Sequence, residues 1–174
     1  MKVNKIASII ALSMGLFTMG AQAADEGKGE VKFIGSIIDA ACSINPDSSE
    51  QEVDLGQITV NQLASEGRSK AQAFNIKLEN CTLDEDKANT VSITFNGESP
   101  TGSKLLGIIG TTGAGVGIGA ATGAQIELGK KTFVQNLTEG DNTLLFSAWL
   151  QGLAGAVAVP GEFYASTNFT MQYD

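Results

Sequence analysis

The sequence predicts an all-β sandwich, and three observations support this class. Apolar and polar residues alternate along many short segments, as expected for strands that bury one face. Turn-forming dipeptides and many of the 21 glycines separate these segments. Apart from a possible turn at 60–65, no segment after the N-terminal leader has the helical period. Many short strands joined by turns are typical of a β-sandwich.

The first alternating segment, 27–38, has an unusual position, because chain ends are normally polar and frayed. Val31, Phe33 and Ile37 share one face of this predicted strand, and Lys32 lies on the other face. An apolar face at a chain end needs another surface to cover it. The other predicted strands lie at 53–58, 69–81, 90–96, 105–108, 115–118, 125–128, 132–137, 144–150 and 161–173.

The N-terminal leader predicts export. Two lysines in the first five residues precede an apolar segment at 6–19, and small residues follow at Ala21 and Ala23. This order is typical of a secretory signal peptide that is cleaved after Ala23. The apolar segment is shorter than the roughly 20 residues of a spanning helix, although a signal anchor is an alternative. We therefore expect a signal peptide at 1–23.

The charge of the chain excludes some classes of partner. The formal net charge is −8, and it becomes more negative when the two lysines of the leader are removed. A strongly acidic surface repels nucleic acid and anionic lipid, so no nucleic-acid partner is expected.

The two cysteines predict one disulfide. Cys42 and Cys81 are the only cysteines, and thiols of an exported chain meet an oxidising compartment, where they pair. Two free thiols are the alternative. A disulfide that closes a loop of this length stabilises the fold by about 4 kcal/mol in the chain-entropy model.

Nothing in the sequence indicates catalysis, a metal site or a cofactor. The chain contains no His, which removes the usual general base and most metal sites. The acidic run at 84–86 lacks the glycine and distal glutamate of a calcium loop, so a solvated loop is the favoured interpretation. The Gly-rich run at 115–120 lacks the βαβ unit of a dinucleotide site. Trp149 could stack on a sugar, but packing on a sheet is favoured.

Six features of the sequence resemble the pilin subunits of chaperone–usher fimbriae, in particular the major subunits of type 1 and related rods. The segments are VKFIGSIIDAAC near the start, VDLGQI, FNIKLENC at the second cysteine and GAQIEL in the middle. The end of the chain supplies Gly161 and the penultimate Tyr173. The resemblance covers nearly all of the chain after the leader.

This resemblance implies an incomplete immunoglobulin-like sandwich at 37–174 with six strands of its own. The missing seventh strand leaves a hydrophobic groove beside the last strand. The segment 24–36 is then a donor strand that completes a neighbouring subunit by β-augmentation. The implied partners are copies of itself and other pilins, a periplasmic pilus chaperone and an outer-membrane usher. The implied location is the fimbrium at the cell surface, reached through the periplasm.

The resemblance also implies two sets of functional residues. The donor set, in which alternate residues face the groove of the neighbour, is Gly27, Gly29, Val31, Phe33, Gly35 and Ile37. The C-terminal set, which would bind the chaperone and the next subunit, is Gly161, Phe163, Phe169, Met171 and Tyr173.

The predicted function is that of a structural, non-enzymatic subunit of an adhesive fibre, with a major rod subunit favoured. A minor or adaptor subunit is one alternative. An exported monomeric sandwich that binds a small ligand, with its N-terminal strand folded back on its own core, is an alternative of another class. Formation of SDS-resistant oligomers would discriminate the fibre subunit from the monomer.

Overall fold

The computed structural model describes residues 29–86, 89–132 and 134–174. The chain divides into two compact units, Met1–Ile37 and Ile38–Asp174. The predicted signal peptide at 1–23 lies outside the described residues. No helix in the described ranges is long and apolar enough to cross a membrane.

The second unit is built almost entirely from strands, which confirms the predicted all-β class. The strands in chain order are β1 Ser43–Ile44, β2 Gln72–Cys81, β3 Thr90–Asn96, β4 Leu106–Gly107, β5 Ala114–Ala120, β6 Gln135–Asn136, β7 Gly140–Gly152 and β8 Asn168–Tyr173. The helices are short: α1 is Pro46–Ser49 and α2 is Val60–Leu63. A 3-10 turn at Ala64–Glu66 follows α2.

The strands form two antiparallel sheets. One sheet has the order β1-β2-β7-β5-β4 and the other has the order β6-β3-β8. The long β2–β7 pair aligns Phe74 with Phe146 and Ile76 with Leu144. Because side chains on opposed residues of a pair share one face, these pairs place four apolar side chains on the same side of the sheet.

The core lies between the two sheets. The apolar positions predicted for β2 and β3 are buried, since Ile76 and Leu78 from β2 and Ile93 and Phe95 from β3 are all at most 2% exposed. The Phe95 ring is 5.2 Å from the Phe146 ring, centroid to centroid, in an edge-to-face arrangement. Aromatic edges prefer to meet ring faces, so this contact joins the two sheets.

The predicted disulfide is present. Cys42 and Cys81 are bonded and both are 3% exposed. The bond joins the residue before β1 to the last residue of β2, across 39 residues. It therefore holds the start of the second unit against the sheet.

Several predicted strands differ from the structure. The segments 53–58 and 125–128 are not strands, the strand predicted at 132–137 is reduced to β6, and the strand predicted at 161–173 begins only at residue 168. A strand is defined by hydrogen bonds to a neighbour, and the sequence pattern shows only which face is apolar. The turn at 60–65 is present as α2 and the 3-10 turn, and a capping box at Thr59 starts α2.

Trp149 packs on its own sheet, as the favoured interpretation expected. It is 5% exposed, and the ring lies over β5, where a Cβ on Gly117 would come within 2.4 Å of it. The Arg68 guanidinium covers the ring at 4.9 Å from the centroid. The indole Nε1 donates a hydrogen bond to Gln151 Oε1 (3.2 Å). These neighbours cover the ring and leave little of it to stack on a ligand.

A candidate strand-binding groove

A groove of about 1110 Å³ opens along the second unit. Its two edges are the segments 50–58 and 158–169. Its floor is apolar and comes from both sheets: Phe74, Ile76, Phe95, Val116, Ala148 and Leu150. The groove is therefore a place where the core of the sandwich is left open.

The first edge is a chain segment with no strand partner. Val53, Leu55 and Ile58 are partly buried and pack against the core, whereas Asp54 and Gln57 are exposed. Within the described residues, 51–58 make no hydrogen bond from backbone to backbone. The edge thus presents peptide groups without a backbone partner beside an apolar floor, which is a template for another strand.

The second edge has the same character. In the segment 161–169, Phe163, Ala165, Thr167 and Phe169 are partly buried, and the residues between them are exposed. Before β8 begins, the described residues 161–167 form one pair of backbone hydrogen bonds with another segment, between Ile109 and Tyr164 (2.9 and 3.0 Å). Among described residues, 165–167 make no hydrogen bond from backbone to backbone.

Beyond the groove, β8 continues the same alternation. Phe169, Met171 and Tyr173 are partly buried against the core, and β8 pairs with β3 from Val91↔Tyr173 to Asn96↔Asn168. Burial raises the pKa of the Tyr173 phenol above its usual value. The C-terminal residues predicted from the sequence therefore divide between two places, with Gly161 and Phe163 at the groove and Met171 and Tyr173 on β8. Phe169 belongs to both, as it lines the groove and starts the inward face of β8.

The residues predicted to form the donor strand lie in the first unit. Within its described residues, 29–37, no strand is formed and every residue is exposed. Val31 is 75% exposed, Phe33 91% and Ile37 104%. A Cβ on Gly29 or Gly35 would have no described atom within 4 Å. Gly27 lies outside the described residues.

The sequence predicts 53–58, on the first edge of the groove, as an ordinary strand. Nothing in the sequence shows that this segment has no strand partner among the described residues. The unfilled position appears only when the neighbours of every strand are known.

The described residues of the groove present backbone groups beside an apolar floor. Within the described part of the chain, no three His, Cys, Asp or Glu side chains converge as metal ligands. Among the described carboxyls, the pKa of Glu127 is lowered to about 2 by the ammonium groups of Lys104 and Lys130. This cluster is on the surface and does not line the groove.

The sequence of the chain is similar to those of known fimbrial proteins. A family model described as Fimbrial protein matches residues 31–174. The major MR/P fimbria protein of Proteus mirabilis strain HI4320 is 47% identical, and the alignment covers 99% of each chain. Fimbria A protein of Serratia marcescens is 46% identical, again over 99% of each chain.

Solved structures agree with the sequence relatives. A chain from a chaperone–usher pilus has a TM-score of 0.79 at 30% identity and covers 88% of this chain and 100% of its own length. The P pilus rod subunit has a TM-score of 0.72 at 28% identity, covering 78% of this chain and 100% of its own length. These likenesses confirm the immunoglobulin-like type of sandwich. The chain belongs to the fimbrial protein family and is a structural subunit of a surface fimbria.

Proposed function

We propose that this subunit forms the rod of its fimbria by accepting the N-terminal extension of a second copy in its groove. The observation that carries the proposal is the pair of unpaired edges at 51–58 and 165–167, which face an apolar floor. An extended segment between them would complete the main-chain hydrogen bonds of both edges, which is β-augmentation. It would also remove edges that favour uncontrolled aggregation.

The extension has the side chains that such a groove requires. In a strand, alternate residues point to one face, so Val31, Phe33 and Ile37 would enter the groove together. Burying each contributes about 1.5–3 kcal/mol, or roughly 5–9 kcal/mol for the three before the cost of ordering the segment. The glycines at 29 and 35 would let the backbone approach the floor closely at those positions.

The names of the relatives support a role as the major subunit. The Proteus relative is named as a major fimbria protein, and one structural neighbour is named as a rod subunit. High identity over nearly the whole length of the Proteus protein favours this role over that of a minor or adaptor subunit.

The route to the surface follows from the exposed groove. In this proposal residues 1–23 direct export and are removed, 24–36 form the donor extension, and 37–174 form the sandwich. A subunit with an open groove needs a temporary cover in the periplasm, which a chaperone strand would provide. An outer-membrane usher would then order the exchange of that strand for the next extension. The role is structural and requires no catalytic step.

A pair of adjacent substitutions tests the proposal. Phe33→Asn places an amide where an aromatic ring should be buried, and burying an unpaired amide costs about 1–3 kcal/mol beyond the lost apolar contact. Ile34→Asn makes the same kind of change on the opposite face. We expect Phe33→Asn to abolish SDS-resistant oligomers and surface fibres, whereas Ile34→Asn leaves both close to normal.

Surface fibres of the two variants are observed by electron microscopy of cells, and SDS-resistant oligomers are detected on unheated SDS gels. Total subunit is measured by immunoblot. Normal fibres from Phe33→Asn would show that this face does not enter a groove, and the proposal would then be wrong.

A further inference from the structure

The rim of the groove carries carboxylates that the apolar floor does not explain. Glu50, Glu52 and Asp54 lie on the first edge and Glu162 on the second, and all four are exposed. Within the described ranges, none forms an ion pair with a basic side chain. Asp54 does accept a hydrogen bond from the backbone N–H of Gly56 (2.8 Å), which holds its carboxylate at the edge.

Partly buried and exposed side chains alternate along 52–55 of the first edge, and this shows which way the carboxylates point. Val53 and Leu55 face the floor, so Glu52 and Asp54 are on the outward parity of the same segment. A strand inserted beside this edge would have its own outward side chains about 4.5–5.5 Å from them, Cβ to Cβ, in directly opposed pairs. At that distance the sign of each charge matters, because opposite charges stabilise the pairing and like charges oppose it.

The extension carries cations on the matching face. If Val31 and Phe33 enter the groove, the outward positions of the same strand are Lys28, Glu30 and Lys32. Lys32 is exposed and, among the described residues, has no carboxylate partner. Elsewhere the chain is acidic, with a net charge of −8, so two copies repel each other at a distance. The lysines on the outward face of the extension therefore have the charge opposite to that of the rim of another copy.

We propose that the outward lysines of the incoming extension pair with the acidic rim of the acceptor groove, and that this pairing sets the rate at which a second copy is taken up. The inference rests on the proposed function, since it requires the extension to enter the groove. The apolar face supplies the stability of the joint, while the charged face attracts the strand and helps to select its register. Local attraction of this kind raises association rates and weakens as salt screens the charges.

The test uses synthetic peptides of residues 24–38 carrying a fluorophore and the full mature chain as acceptor. Uptake is followed as fluorescence that stays with the chain on an unheated SDS gel. We expect the Lys32→Glu peptide to be taken up about 10-fold more slowly than wild type at low salt. The difference should largely vanish between about 0.01 M and about 1 M salt, as the Debye length falls from ~30 Å to ~3 Å.

Two further arms identify the partner of the lysine. Glu30→Gln removes an unfavourable charge from the same face and should speed uptake at low salt. An acceptor with Glu52→Lys and Asp54→Lys should reverse the order, so that the Lys32→Glu peptide becomes faster than wild type. Both substitutions are on exposed side chains, and the melting temperature of the acceptor checks that it folds.

The outcomes separate this inference from the proposed function. A Phe33→Asn peptide should not be retained at any salt concentration. If it is retained as well as wild type, the proposed function fails. If it is lost but Lys32→Glu and Glu30→Gln both behave as wild type at low salt, the groove accepts the extension and the role of the charged rim is wrong. Slow uptake of Lys32→Glu that persists at high salt would likewise overturn the electrostatic role.

Discussion

At the scale of single residues, Trp149 shows how a large side chain is accommodated on the outer face of a sheet. Gly117 and Gly119 on β5 leave the space that its ring fills, and Arg68 closes over the ring. Gly117 is buried in β5, and because it has no side chain the indole can lie directly on the strand. Two glycines of the Gly-rich run, Gly117 and Gly119, therefore form the surface on which the Trp149 indole packs.

Gly117→Ala tests this packing. The new Cβ would lie 2.4 Å from the indole of Trp149, so the ring or the strand must move, and overpacking of this kind costs about 1–3 kcal/mol. We expect a corresponding loss in the free energy of unfolding, measured by denaturant titration. In a chain that already carries Trp149→Ala, the same substitution should have little further effect, because the two residues then no longer compete for space. Equal costs in both backgrounds would contradict the contact.

At the scale of elements, β8 and the segment before it share one pattern of burial but differ in their pairing. The alternation of buried and exposed residues runs unbroken from Phe163 to Tyr173, but only residues 168–173 are paired with β3. The part without a continuous partner borders the groove. The same alternating pattern therefore supplies a paired strand at one end and an edge of the groove at the other.

A matched pair of substitutions tests the structural part. Phe169 is partly buried and its ring is 6.2 Å from that of Phe95, whereas Thr170 is exposed. We expect Phe169→Asn to lower the free energy of unfolding by about 2–4 kcal/mol, somewhat less than the ~3–5 kcal/mol for truncating a fully buried Phe, because the ring is only partly buried. Thr170→Asn should change it by no more than about 0.5 kcal/mol. The free energies of unfolding of the two purified variants are measured by chemical denaturation. Similar values for both would mean that β8 does not pack as described.

At the scale of the whole molecule, the proposed mechanism makes each subunit both a donor and an acceptor. The two functions belong to different parts of the chain, the extension at 24–36 and the sandwich at 37–174. Removing the extension should therefore abolish donation and leave acceptance intact. Such a chain cannot insert a strand into the open groove at a growing end, so we expect it to enter a fibre only as the first subunit, whose groove accepts the next extension.

Mixed expression tests this separation. A subunit lacking 24–36 contains all the described strands and the disulfide, so it should fold and be incorporated once, as the first subunit of a fibre. Because each such subunit starts a separate fibre, raising its share against wild type should shorten fibres progressively, as measured by electron microscopy. Ile34→Asn subunit at the same share is the control and should leave the length unchanged. If fibre length stays constant while the shortened subunit accumulates as a folded protein, donation and acceptance are not separated in this way.

The sequence by itself determined the class of the fold and most of the strands. Alternation of apolar and polar residue types identified β2, β3 and β7, although β3 and the second half of β7 are buried on both faces. Export context was enough to predict the link between Cys42 and Cys81. The apolar face of 27–38 could likewise be predicted from parity, and its described part, 29–37, is exposed, whereas its role as a donor belongs to the proposal.

The tertiary structure decided what the pattern does not contain, namely which strands lack a partner. The segments 53–58 and 161–167 have the composition of strands, yet neither is one, because pairing requires a neighbour and none of the described residues fills the position between them. Side-chain alternation depends on the residue itself, whereas a hydrogen-bonded ladder depends on what lies beside it. For that reason the apolar faces could be predicted from the sequence, while the open groove and its acidic rim became visible only in three dimensions.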